Sequence, residues 1–479
     1  MRRSICCILV ALLLTATLCV PVYAKEARYA DTVTKAVGFD EPDALFDGAR
    51  TTWATASAGK VTLSRKSGIA HMYIEFDRVP TAWTLSDGQK TVTCGQNGFL
   101  HEYVDVLEMF GEMPKKLTAS FEDDTVIADV YAFSAGDLPD FVQTWSPPTS
   151  CADLLLISSH SDDEQLFFAG MLPYYAVERG LQVQVAYSVQ HFEAQGTKNH
   201  VRPHEQLDGL WTVGVTNYPV MSDFPDLYAE SKDRETALAQ AKNVFASAGV
   251  TFEDFTAYLT DCLRRFKPLV VVSHDENGEY GHGTHVLTVA ALKQALKAAP
   301  NKNKFKKSAD AYGVWEVEKT YLHLYEKNKI VMDWDTPYES LGGKTPFEMT
   351  QAGFGCHKSQ HWTWFYGWIY GKGTPITKAS QIDTHSPCEF GLYKSTVGKD
   401  KKGGDFMENI VTYEQRKQQA LEELTVTTVP TTTTTVTIIP QTDEQAGGWL
   451  PLVLLGLAGV AMVLALALLI KRITRRGKH

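Results

Sequence analysis

An apolar run from Leu154 to Ile157 ends in Ser158-Ser159-His160-Ser161-Asp162-Asp163-Glu164, where one imidazole meets three carboxylates. The run reads as a buried strand, and open α/β sheets carry their reactive groups where parallel strands end. His160, followed closely by two Asp, can offer nitrogen and oxygen ligands to a divalent metal and leave one carboxylate spare. A second apolar run, Leu269 to Ser273, leads through His274 and the glycine-punctuated Asn277-Gly278-Glu279-Tyr280-Gly281 to His282-Gly283-Thr284-His285. There a helical stretch opens through Val286, Leu287, Val289, Leu292 and Leu296. His285 is the natural third ligand. A His/Asp/His set with open positions has the form of a catalytic zinc site, which keeps about three protein ligands and a place for water.

These residues meet only if the elements around them build one sheet. Leu166, Phe167, Met171, Tyr174 and Val177 predict a helix after the first motif, ended by Gly180 and kinked at Pro173. Leu181 to Val189 predicts a strand. Arg202 to Trp211, Thr236 to Ala248 and Phe252 to Phe266 predict three further helices. Strands alternating with helices argue for an α/β domain over 150–330, with a Rossmann-like, largely parallel sheet covered on both faces. Asp140 to Pro148 is a proline-punctuated boundary before it. Residues 25–147 read instead as short alternating stretches between Gly, Asp and Pro turns, the pattern of an all-β sandwich. Residues 331–424 form an aromatic-rich, irregular extension, densest from Gly355 to Trp364. It is expected to pack as a cap on the α/β core, with His357 and Gln360 as cleft groups; aromatics also wall many sugar clefts.

The His160-Ser161-Asp162-Asp163-Glu164 and Tyr280-Gly281-His282-Gly283-Thr284-His285 pair resembles the PIG-L (LmbE-like) family of zinc-dependent N-acetylglucosamine deacetylases. Arg202-x-x-Glu205 followed by Val213-Gly214-Val215 resembles a third block of that family, so three ordered blocks fall within roughly residues 150–300. The resemblance implies one Zn2+, or another divalent ion, held by His160, Asp163 and His285. It implies Asp162 as general base and then acid, His282 as the group facing the oxyanion with Tyr280 assisting, and Arg202 as a contact to sugar hydroxyls. Two positions depart from the family pattern. Ser161 stands for the usual Pro, and Thr284 for the usual Asp, which gives His282 a different partner. Upstream, Leu45-Phe46-Asp47-Gly48, Thr51-Thr52-Trp53 and Tyr73 to Asp77 resemble the discoidin (F5/8 type C, galactose-binding-like) sandwich. His274, His191, His200 and His204 are read as structural or surface residues.

The ends point to a membrane-anchored, cell-surface protein. Arg2-Arg3, the apolar Ile5 to Val20 and Val22-Tyr23-Ala24 have the form of a signal peptide over 1–24. Trp449 to Ile470 carries no charge over 22 residues, enough for a transmembrane helix of roughly 33 Å. The basic 471–479 tail then faces the cytoplasm. Thr-rich 425–446 is an extended spacer rich in sites for O-glycans. The net charge of −10 comes without a basic stripe, which argues against nucleic acid, and no protein partner is evident. Beyond the leader stand Cys94, Cys151, Cys262, Cys356 and Cys388; Cys356–Cys388 is the expected bridge. The expected activity is a metal-dependent hydrolase that removes acetyl from N-acetylated glycans. The alternatives are a glycan-binding surface protein with an inactive deacetylase domain and a metal-dependent O-acetyl esterase.

Overall fold

The computed structural model describes residues 32–190 and 201–427. The expected leader, the Thr-rich stretch beyond 427, the apolar 449–470 segment and the basic tail lie outside them, as do His191 and His200. No helix among the described residues is long and apolar enough to cross a membrane.

The N-terminal region is two antiparallel sheets. One has five strands, in the spatial order Val33–Val37, Gly59–Ser64, Lys116–Phe121, Trp83–Ser86 and Thr91–Cys94. The other has four: Ala54–Ala56, Thr125–Phe133, His71–Phe76 and His101–Asp105. Alternate residues of both, among them Val61, Leu63, Leu117 and Phe121 from the first and Met72, Ile74, Ile127 and Val130 from the second, share one apolar core. Period-two alternation is what lets each strand feed that core with one face only.

The second sheet has seven strands. In chain order they are β1 (Leu154–Ser158), β2 (Val183–Tyr187), β3 (Val220–Met221), β4 (Val270–Ser273), β5 (Lys319–His323), β6 (Lys329–Val331) and β7 (Glu389–Ser395). Their spatial order is β3-β2-β1-β4-β5-β7-β6. The first five run parallel, and β7 lies antiparallel to both β5 and β6. Along β1, Leu154 and Leu156 enter one apolar core while Leu155 and Ile157 enter the core on the opposite face. Burial on both faces explains the unbroken apolar run, where a half-exposed strand would alternate. Among the helices are α1 (Val201–Thr212), α2 (Arg234–Ser247), α3 (Phe252–Phe266), α4 (Gly283–Ala298), α5 (Pro346–Cys356) and α6 (Trp364–Tyr370). Thr251 and Asp254 close a capping box on α3, which fixes its start to the expected residue. Leu259 and Leu263 of α3 and Leu287 and Leu292 of α4 fill the second core.

Four expectations need correction. The helix expected over 166–177 is broken: Asp163–Leu166 stops after four residues, and Met171–Pro173 restarts it before a wide turn over Tyr174–Glu178. Gly170 at the break has φ +85, and a Cβ there would lie 2.4 Å from Trp334 Cγ, so only glycine fits at the break beside the buried indole. The expected limit of the α/β domain at 330 runs through a continuous sheet, because β7 from the extension is seated between β5 and β6. The extension is also less irregular than its sequence suggests. Its Trp334, Phe347, Phe354, Phe390 and Phe406 fill the first core beside Leu154 and Leu156. Cys356 and Cys388 are both free thiols. The Cys356 thiol lies 3.5 Å from Thr212 Oγ1 of α1, which directs it away from a bridge.

Candidate active site

The strand order reverses direction between β1 and β4, which is where ligands bind in open parallel sheets. The loops after these two strands carry the motif residues. His160 Nδ1 lies 3.0 Å from Asp163 Oδ2 and 3.1 Å from His285 Nε2, and those last two atoms are 3.2 Å apart. Ligand atoms bound at about 2.1 Å to a tetrahedral ion lie about 3.4 Å apart. The three atoms therefore nearly span the face of such an ion. Each imidazole is turned to offer a lone pair. His160 Nε2 faces Asp226 Oδ1 at 3.1 Å, and His285 Nδ1 faces Glu279 Oε2 at 2.7 Å. The carboxylate behind the His285 ring holds its proton on the far nitrogen and leaves the near nitrogen free for a metal, while Asp226 stands beside His160 as an ion-pair partner. The residues present fit a divalent ion.

Two other histidines crowd the same place, and hydrogen bonding separates their roles. His274 Nε2 lies 3.5 Å from Asp163 Oδ2, but it accepts the backbone N–H of Ser159 at 2.8 Å. Its Nδ1 donates to Glu279 at 2.9 Å. Both nitrogens are used, so His274 buttresses the pocket. His282 can join His160 and His285 as a further possible metal-holding group. It is the N-cap of α4: its Nδ1 accepts from the Thr284 backbone N–H at 3.3 Å, leaving Nε2 as the only free nitrogen. Burial, with His160 and His285 nearby, holds its imidazole well below the usual range. Thr284, at the position that departs from the family pattern, donates its hydroxyl to Leu227 O and does not touch His282 with its side chain.

Asp162 sits at φ 110, a left-handed conformation that a non-glycine residue adopts only at a cost. Its backbone N–H donates to Glu164 Oε2 at 2.9 Å. Burial pushes its carboxyl up to about 7, against the pull of the Arg202 guanidinium. Arg202 Nη2 lies 3.7 Å from Asp162 Oδ2 and donates to Ser161 O. In this structure Arg202 is buried and directed at the motif turn. Tyr280, at φ 51, stands with its ring 5.5 Å from that of His282. His357 is buried 3.4 Å from Glu164 Oε1, behind the motif turn. Gln360 donates to Ser359 Oγ at 3.1 Å.

Four residues that matter here come from elsewhere in the chain. Glu279, read only as part of a glycine-punctuated loop, is fully buried and accepts from His274, His285 and His323. His323 at the end of β5 reaches Glu279 Oε1 with one nitrogen at 2.7 Å and Ser386 O with the other at 2.9 Å. His274, read as structural or surface, is in the same network. Position at a strand end, where His274 and His323 both stand, was the available signal. Asp226 lies in the loop after β3 and carries no motif. A cleft of about 1020 Å³ between the sandwich and α1 is lined by Arg50, Glu75, Tyr131, Asp208 and Lys358, and by none of the candidate ligands.

Residues 155–296 match the family model described as PIG-L: GlcNAc-PI de-N-acetylase. A 1D-myo-inositol 2-acetamido-2-deoxy-alpha-D-glucopyranoside deacetylase from Catenulispora acidiphila is 25% identical over 36% of this chain and 56% of its own length. A namesake from Acidothermus cellulolyticus is 28% identical over 29% of this chain and 53% of its own. The chain thus spans about half the length of these curated relatives. Among solved structures, an N,N'-diacetylchitobiose deacetylase from Pyrococcus horikoshii aligns at 15% identity and a TM-score of 0.36, covering 50% of this chain and 84% of that one. The stretch that builds the imidazole–carboxylate pocket thus matches the PIG-L deacetylase family, and the matched region ends before the aromatic extension.

Proposed function

We propose that this protein is a cell-surface, zinc-dependent hydrolase that removes acetyl groups from N-acetylated amino sugars. The observation that carries the reading is the convergence of His160 Nδ1, Asp163 Oδ2 and His285 Nε2 within 3.0–3.2 Å beside the buried carboxyl of Asp162. A divalent ion in that place supplies Lewis acidity, lowering the pKa of a water towards about 7 and polarising an amide carbonyl. His160, Asp163 and His285 hold it. Asp162 takes the proton from the attacking water and returns it to the departing amine. Arg202 keeps Asp162 aimed and balances its charge once the proton has left. His282, capped at Nδ1 by a backbone N–H, offers Nε2–H to the oxyanion, and Tyr280 walls the same side. A preorganised donor of this kind contributes about 3–4 kcal/mol to the transition state.

The relatives named for deacetylation of an acetamido sugar supply the substrate class. The apolar 449–470 segment and the leader supply the cell-surface reading. The test is acetate release from N-acetylglucosamine oligomers by the full-length protein, with and without chelator, beside Asp162→Ala. Acetate that disappears with chelator and in the variant supports the hydrolase. Retention of metal and glycan without acetate would replace it with a binding protein.

A further inference from the structure

The helix α6 and the residue pair before it expose Trp362 at 84%, Trp364 at 43% and Tyr366 at 43%. The same short segment buries Ile369 in the first core, so it is anchored, and its outward aromatics are held in place. Trp364 is the one that borders the candidate active site. Its ring stands edge-on to Tyr280 at 5.7 Å and 87°, and packs on Phe365 at 4.2 Å. Tyr280 in turn lies 5.5 Å from His282. Phe365 reaches Phe167 at 5.9 Å, and Phe167 reaches His285 at 5.8 Å. Two aromatic paths therefore run from the imidazoles to one half-exposed indole. The Trp364 N–H has no hydrogen-bond partner among the described residues.

We propose that Trp364 is the floor of a glycan subsite that stacks the pyranose ring next to the acetylated sugar held at His160, Asp163 and His285. This rests on the hydrolase reading above and deepens it: the substrate class becomes an oligomeric or polymeric amino sugar. The apolar face of a pyranose packs on an aromatic ring, and the free indole N–H can donate to a ring hydroxyl. Trp362, two residues earlier, continues the aromatic surface outward. All of this lies beyond the segment that matches the family model, residues 155–296, so recognition of the neighbouring sugar comes from the extension while the chemistry stays with the motif residues.

The test compares N-acetylglucosamine with its di-, tri- and tetrasaccharides on full-length protein, Trp364→Ala and Trp364→Tyr. In the wild type, kcat/KM should rise roughly tenfold from mono- to disaccharide, the scale of one stacked ring. Trp364→Ala should lose that rise, with the disaccharide value falling well beyond any change in the monosaccharide value, and Trp364→Tyr should restore most of it. Equal losses on mono- and disaccharide would overturn the subsite in favour of a structural role. No change on either would also overturn it. Should neither the wild type nor the variants release acetate, tryptophan fluorescence titration of Asp162→Asn with the same sugars separates the two claims. Length-dependent binding that Trp364→Ala abolishes upholds the subsite while the hydrolase fails; no binding overturns both.

Discussion

Two buried clusters of imidazole and carboxylate lie on either side of α1, and they are wired in opposite ways. Between the sandwich and α1, Arg50 grips Glu75 with two N–H groups at 2.6 and 2.9 Å and also pairs with Asp208. Gln143 donates to Asp208 at 2.6 Å and meets His101 Nδ1 at 2.6 Å, and His101 Nε2 meets His204 Nδ1 at 2.7 Å. Gln143 Oε1 also accepts from the Trp145 indole, so His101 must donate from Nδ1 and accept at Nε2. Donor meets acceptor throughout. In the pocket over β1 and β4, His160 Nδ1, Asp163 Oδ2 and His285 Nε2 converge on one point instead, with Glu279 behind the His285 ring. At 3.0–3.2 Å the three atoms nearly span the face of a tetrahedral ion, whereas the groups of the other cluster pair off one to one. What marks a metal site is thus the convergence of its donors, since residue types are shared by both clusters.

The sharpest way to break the contrast is to change a converging acceptor. Asp163→Asn is expected to reduce bound metal from one equivalent to near none by elemental analysis, with acetate release falling at least as far as removal of the base itself. Asp162→Asn should retain the metal and still lose on the order of 10²–10⁴-fold in rate. Metal retained by Asp163→Asn would sink the ligand assignment. The interdomain cluster should respond in the other currency, stability. Arg50→Met leaves Glu75, whose side chain is 2% exposed, without its partner. Breaking one side of a buried pair costs about 3–5 kcal/mol, and the partial exposure of Arg50 and Asp208 places this one near 3. Urea unfolding measures the loss, and metal content per folded molecule should not move.

Glu279 sits between these extremes, because it buttresses ligands without touching the ion. Glu279→Gln keeps the shape and weakens the hold on the His285 and His274 protons. Metal affinity, by competition with a chromogenic chelator, should fall roughly 10–100-fold, with little change in the rate of fully loaded protein. Unchanged affinity would mean that packing alone orients His285.

Glu279 also shows where sequence reading stops. His160, Asp163 and His285 are legible because each lies within a few residues of a strand end or helix start, and the parallel sheet brings those ends together. Glu279 and Asp226 come from two loops and His323 from the end of β5, and their meeting through tertiary packing is recorded by no local spacing. Asp226 has no signal at all. The same limit explains the broken helix at Gly170: the apolar periodicity of Leu166 to Val177 is real, but the indole beside the break comes from Trp334, far along the chain. The long amphipathic helix α3 was legible to the residue because its cap, Thr251 with Asp254, is local.

The smallest effect concerns protons in the interdomain cluster. His101 is fully buried, and burial, with the Arg50 guanidinium adding to it, holds its imidazole well below the usual range. The folded protein therefore keeps His101 neutral while the unfolded chain takes up a proton near pH 6.5. Protons then favour the unfolded state, so this contribution to stability is complete above about pH 6.5 and declines as pH falls below it, by at most about 1.4 kcal/mol for each pH unit. His101→Gln removes the titrating group and can still both donate and accept. Between about pH 7.5 and 5.5 the wild type should lose more unfolding free energy than His101→Gln. The metal-ligand histidines titrate in both proteins, so the difference between the two isolates His101. Parallel losses would mean that His101 is charged in the folded state, and the donor–acceptor order argued for this cluster would have to be reversed.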